Sequence, residues 1–111
     1  MLALPAPNHV QSEKVMTIEE IVRSKREEIV GIAAKHGASN VRVFGSVARG
    51  EAGPDSDIDL LVDVGPVHSS FFPGGLVSDL EDLLGRRVQV ITPEGLHWYI
   101  RDQILSEAHP L

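Results

Sequence analysis

Two neighbouring segments hold the residues of this chain best suited to chemistry: Gly45-Ser46-Val47-Ala48-Arg49-Gly50, then Ser56-Asp57-Ile58-Asp59-Leu60-Leu61-Val62. The first is a Gly-Ser turn able to open a helix, and a helix N-terminus offers free backbone N–H groups to a phosphate. The second sets two carboxylates one residue apart at the start of an apolar strand. Alternate strand residues share a face, so Asp57 and Asp59 can share one hard cation. Together the segments describe a site for a metal-bound nucleoside triphosphate.

Nucleotidyl transfer depends on positioning and charge neutralisation more than on covalent help from the protein. Mg²⁺ prefers oxygen ligands and keeps bound waters, which suits paired aspartates plus substrate phosphates. Gly45 lets the backbone approach a phosphate closely, and the Ser46 hydroxyl can hydrogen-bond it. Arg49 suits either a phosphate contact or a structural salt bridge. A lone Gly-Ser turn is commonly only a turn, and a lone Asp-x-Asp a solvated strand end. The two in this order, each beside a strand, are far more specific. Asp55 and Asp63 read as loop and surface charges. Ser56 reads as a turn residue, since no His-based triad is evident. His9, His36, His68, His97 and His109 lack metal-ligand spacing and read as surface residues.

The positioning elements follow from periodicity. Residues 1–16 carry two prolines and no clear period, and are expected to form a flexible tail ahead of one domain over 17–111. Thr17 and Glu20 make a capping box. Ile18, Ile21, Val22, Ile29, Ile32 and Ala33 then predict one helix ending near His36, before Gly37. Val41–Phe44 is a predicted strand, 51–55 a loop, and Ile58–Val64 a buried central strand. Gly65–Gly75 is loop-like, with Phe71 and Phe72 available to cover the core or the site. Leu76, Leu80, Leu83 and Leu84 outline a second helix stopped by Gly85, and Val88–Ile91 a third strand. Thr92 and Pro93 predict the start of a last helix with Leu96, Ile100 and Ile104 as its inner stripe. The implied class is α/β (α+β in some schemes): a small mixed sheet flanked by helices.

Bulk properties narrow the function. A chain of 111 residues with 42% hydrophobic content suits one modest core. A formal net charge of −6 argues against general nucleic-acid binding, though not against a basic partner protein. The absence of cysteine excludes thiolate metal sites and fits a cytoplasmic setting. The first residues lack the basic start of a signal peptide, and no stretch is long enough to span a membrane.

The run Gly45-Ser46-Val47-Ala48-Arg49-Gly50 with Ser56-Asp57-Ile58-Asp59-Leu60 resembles the signature of the DNA polymerase β-like nucleotidyltransferase superfamily. Small size and Leu83-Leu84-Gly85-Arg86-Arg87-Val88-Gln89-Val90-Ile91-Thr92-Pro93-Glu94-Gly95-Leu96 make it similar to the minimal nucleotidyltransferases of prokaryotes, the MntA-like antitoxins. The resemblance covers residues from Thr17 onward. It implies the nucleotidyltransferase fold, Mg²⁺, ATP as substrate, and a HEPN-domain toxin partner silenced by AMP transfer to a tyrosine. It implies Asp57 and Asp59 as catalytic metal ligands and Gly45, Ser46 and Arg49 as nucleotide contacts. One position departs: where the family carries a third carboxylate, in a pattern like Val-Asp-Leu-Val, this chain reads Val88-Gln89-Val90-Ile91. Gln89 cannot act as a general base, and its carbonyl is a weaker Mg²⁺ ligand. A contact-only binding module therefore stays as an alternative, and a transferase for a small molecule is a separate one. The acceptor, nucleotide preference and self-association stay open.

Overall fold

A computed structural model describes residues 16–68 and 71–111; the predicted tail falls almost wholly outside them, on residues 1–15. The first elements are helices α1 (Ile18–Ser24) and α2 (Arg26–Lys35), strand β1 (Ala38–Phe44) and the single-turn helix α3 (Gly45–Ala48). They are followed by β2 (Ile58–Val64), α4 (Gly74–Leu84) and β3 (Val88–Ile91). A 3₁₀ turn (Pro93–Gly95), α5 (Trp98–Glu107) and the short β4 (His109–Pro110) complete the chain.

The four strands lie in the order β3-β2-β1-β4. β1 runs antiparallel to β2 and β4, whereas β2 and β3 are parallel and joined through α4. A parallel pair needs such a crossover, and the 3.6-residue period of Leu76, Leu80 and Leu84 supplies the helix that covers it. Gly85 ends α4 in the left-handed conformation, φ 66°, as its place after the last leucine requires. Along β2, Ile58, Leu60 and Val62 point into the core formed with Val22, Ile29, Ala33, Leu76, Leu80, Val88 and Val90. The alternate residues Asp59 and Leu61 occupy the other face, paired across β3 with Gln89 and Ile91.

Three predicted elements need correction. The single N-terminal helix is two, broken at Lys25 (φ −108°, ψ 19°). The Ser24 hydroxyl donates to the Ile21 carbonyl there at 2.8 Å, a local bond that competes with the helical ladder. The capping box itself forms, with reciprocal bonds of 2.8 and 3.1 Å between Thr17 and Glu20. Thr92 does not start the last helix: Pro93–Gly95 makes only a 3₁₀ turn, Leu96 is extended, and α5 begins at Trp98. The expected inner stripe is lost with it, because α5 buries no residue and Ile100 lies at the surface. The third correction is β4, which lacks any strand-like run in the sequence and exists by pairing His109 and Pro110 with Val43 and Arg42. Phe72 packs against the core, while Phe71 is exposed. Of the described histidines only His36 departs from a surface role: half-buried, it meets Asp79 on α4 at 2.7 Å.

Candidate functional site

Asp57 immediately precedes β2 and Asp59 is its second residue, so the strand period puts both on the face opposite the Ile58–Leu60 core residues. Phe44, the last residue of β1, pairs with Asp59, which brings the turn after β1 against the head of β2. Gly45 opens α3 with φ 74°, in the left-handed region that glycine alone adopts without cost. The Asp59 carboxylate lies where a side chain on Gly45 would be: a Cβ there would collide with Asp59 Oδ2. This contact joins the two motifs. Gly45→Ala is therefore expected to destabilise the fold by about 2 kcal/mol, from backbone strain added to displacement of Asp59; chemical denaturation measures it.

The two carboxylates repel one another in a partly buried setting. Burial pushes the Asp59 carboxyl above its usual pKa of 3.8, and the Asp57 charge and Glu107 push it further, while Arg49 opposes the rise. Asp57 Oδ1 is shielded from solvent and has no hydrogen bond. The Arg87 Nε lies 3.0 Å from that same atom, close enough for an ion pair but misaligned for a hydrogen bond. A solvent-shielded anionic oxygen without a donor, beside a second carboxylate, fits an oxygen-preferring cation. Among the described residues no group of three or more His, Cys, Asp or Glu side chains is placed to hold a metal, so the protein offers a pair.

The raised Asp59 pKa has a consequence for the metal-free protein. Above the folded pKa, Asp59 is ionised in both folded and unfolded states, and the full cost of its burial is present. As pH falls through the folded value toward 3.8, the native carboxyl protonates first and that cost is relieved. Asp59→Asn is expected to be more stable than the parent at neutral pH, with the gap closing on acidification. Urea midpoints across that range, without divalent ions, check it.

Gly45, Ser46 and Arg49 stand together on and just after α3, with Ser46 half-buried and its carbonyl accepting from the Glu51 N–H at 2.9 Å. Arg49 is engaged by carboxylates. Its Nε donates to Glu51 at 2.9 Å, and its Nη1 reaches both Glu107 oxygens at 3.1 and 3.2 Å. Glu107 also accepts the Gly45 N–H at 2.8 Å. Glu107 and Arg87 are the neighbours that sequence reading missed. Each comes from a distant segment, and only the packing of α5 and the parallel β2–β3 pairing bring them here. Ser56 does serve the turn, accepting the Gly53 N–H at 2.8 Å, and Asp63 pairs with Arg42 at 2.8 Å. Gln89 is exposed and lies directly across from Asp59 in the parallel register.

The nucleotidyltransferase domain family matches residues 15–110. A candidate protein adenylyltransferase of Methanocaldococcus jannaschii, MJ0435, is 41% identical over 93 residues, covering 84% of this chain and 96% of its own length. The protein adenylyltransferase MntA of Thermococcus cleftensis is 36% identical over 93 residues, covering 84% of this chain and 94% of its own. A solved candidate minimal nucleotidyltransferase superposes with a TM-score of 0.76 at 47% identity, covering 86% of this chain and 97% of the other. A toxin–antitoxin structure with AMP-PNP shares the fold, with a TM-score of 0.65 at 17% identity over 76% of this chain and 69% of the other.

Proposed function

The chain belongs to the nucleotidyltransferase domain family, among its minimal, MntA-like members, and from that premise we propose that it binds Mg·ATP and neutralises a HEPN-domain toxin by transferring AMP to it. The contact between the Asp59 carboxylate and Gly45, with the Asp57 carboxylate alongside, carries this reading. It supports a reading in which the two carboxylates and the Gly45 turn serve one triphosphate. The adenylyltransferase names of the relatives and the toxin–antitoxin neighbour support the acceptor class. No described helix is long and apolar enough to cross a membrane, and the reading places the reaction in the cytoplasm.

In this mechanism Asp57 and Asp59 would hold Mg²⁺ through their carboxylate oxygens. The ion, when bound, supplies charge neutralisation on the transferring phosphate and the leaving oxygen. Ser46 and the Gly45 turn would take the phosphates, with Glu107 giving up the Gly45 N–H and the Arg49 guanidinium that it holds in the nucleotide-free protein. The acceptor hydroxyl oxygen forms a bond to the α-phosphorus, the bond from that phosphorus to the bridging oxygen breaks, and pyrophosphate leaves. The hydroxyl proton passes to solvent, because the Gln89 amide cannot accept it. Loss of a general base typically costs on the order of 10²–10⁴ in rate, so transfer by this chain is slow.

The Gln89–Asp59 register also favours a second reading, in which the toxin is blocked by contact and nucleotide chemistry is vestigial. Intact-mass measurement of the co-expressed toxin separates the two. A gain of one AMP or more, absent in Asp59→Asn, is the expected result. An inhibited toxin of unchanged mass supports contact alone, and an uninhibited toxin overturns the partner assignment.

A further inference from the structure

We infer that Arg87 is a built-in counter-ion for Asp57, displaced when the divalent cation binds and then turned onto the phosphates of the nucleotide. The inference rests on the reading of Asp57 and Asp59 as the cation pair. The Asp57 charge acts on Asp59 across the same strand face, and Arg87 Nε stands 3.0 Å from Asp57 Oδ1. The misaligned N–H leaves that oxygen without a hydrogen bond. The guanidinium thus offsets charge without satisfying the atom, and a directly coordinating ion can do both. Arg87 is also built to move. Its backbone carbonyl accepts the Ile58 N–H at 3.0 Å and its neighbour Val88 opens β3, so the main chain is tied into the sheet. The side chain, by contrast, is 78% exposed, and among the described residues its guanidinium has no other ion pair. The adjacent Arg86 differs, because its guanidinium is committed to the Pro54 carbonyl.

Beside Asp57 lies an open cleft of about 370 Å³, lined by Asp55, Ser56, Asp57, Gly85 and both arginines. A guanidinium released from Asp57 stays at the wall of this cleft. Its planar donor fork matches a phosphate, which a point charge does not. In a chain of net charge −6, an exposed guanidinium beside these carboxylates matters to an incoming polyanion. The same side chain thereby opposes the free ion and favours the ion–nucleotide complex.

That opposition of sign is the test. Mn²⁺ alone, titrated without nucleotide and followed by the paramagnetic resonance of the free ion, is expected to bind Arg87→Ala about threefold more tightly than the parent, the scale of an exposed ion pair. Mg·ATP, titrated by calorimetry, is expected to bind the same variant about tenfold more weakly, the scale of a charge-assisted phosphate contact. Arg87→Lys keeps the charge but not the fork. It should match the parent toward Mn²⁺ and fall between parent and alanine variant toward Mg·ATP. Unchanged or weaker Mn²⁺ binding by Arg87→Ala, or unchanged Mg·ATP binding, overturns the inference, provided circular dichroism shows a folded variant. Asp57→Asn is titrated alongside. If it loses no Mn²⁺ affinity, the cation-pair reading itself fails. If it does lose affinity while Arg87→Ala leaves Mn²⁺ unchanged, only the role of Arg87 fails.

Discussion

Asp57→Asn or Asp59→Asn lowers AMP transfer to the toxin by about 10³-fold, the scale of losing metal-supplied charge stabilisation at the transferring phosphate. The same changes remove most of the Mg²⁺ dependence of ATP binding. Asparagine keeps the size of each side chain but removes the charge that an oxygen-preferring cation needs. The folded state gives no reason to expect unfolding instead. Asp59 already bears a cost of burial and of repulsion by Asp57, so its neutralisation relieves the metal-free protein. For Asp59→Asn activity and stability should therefore move in opposite directions, which separates a site residue from a structural one. Calorimetry of ATP binding with Mg²⁺ and with a chelator, beside a thermal melt, measures both. Equal ATP affinity in the two conditions for the parent protein would show that these carboxylates do not hold the metal.

Gln89→Asp raises transfer by on the order of 10²-fold under saturating Mg·ATP, the lower end of what a general base contributes. The register supplies the geometric reason: Gln89 sits across from Asp59 on the parallel strand, and paired residues in such a ladder share a face. A carboxylate there completes an acidic cluster, adds an oxygen ligand for an activating ion and accepts the hydroxyl proton. A third negative charge also adds repulsion, so the metal-free variant should be less stable than the parent, with the loss recovered when Mg²⁺ is added. The two effects are read by a transfer assay and by melting with and without the ion. A folded variant with an unchanged rate would mean that position 89 does not contribute to catalysis or that the acceptor is misassigned. High parental activity abolished by Gln89→Ala would show instead that glutamine fills the role.

The core of the domain was readable because it obeys strong local rules. The β-branched and leucine-rich Ile58–Val64 run reads as a central strand, and Leu76, Leu80 and Leu84 form a helical stripe closed by Gly85. The ends of the chain were less readable. α5 carries Leu105 and Ile104 yet buries nothing, so its apolar residues do not report its packing. β4 is two residues long and exists through pairing to the edge of β1. At the break near Lys25 the Ile21 carbonyl accepts both the Lys25 N–H at 3.2 Å and the Ser24 hydroxyl at 2.8 Å, a local detail below what periodicity resolves.

For the site, sequence alone determined which residues are chemically able and that Asp57 and Asp59 share a face, because strand alternation is a property of the local backbone. The membership of the nucleotidyltransferase family was likewise carried by those short motifs. Tertiary structure decided everything that joins separate segments. It set the Asp59 carboxylate into the space left by Gly45, brought Glu107 from the last helix onto Gly45 and Arg49, and placed Arg87 against Asp57. It also decided that Gln89, rather than a neighbour one residue away, lies opposite Asp59, since a one-residue slip of β3 would turn it to the other face. Such distances depend on strand register and helix docking, which are set by the burial of the whole core and written in no single stretch of residues.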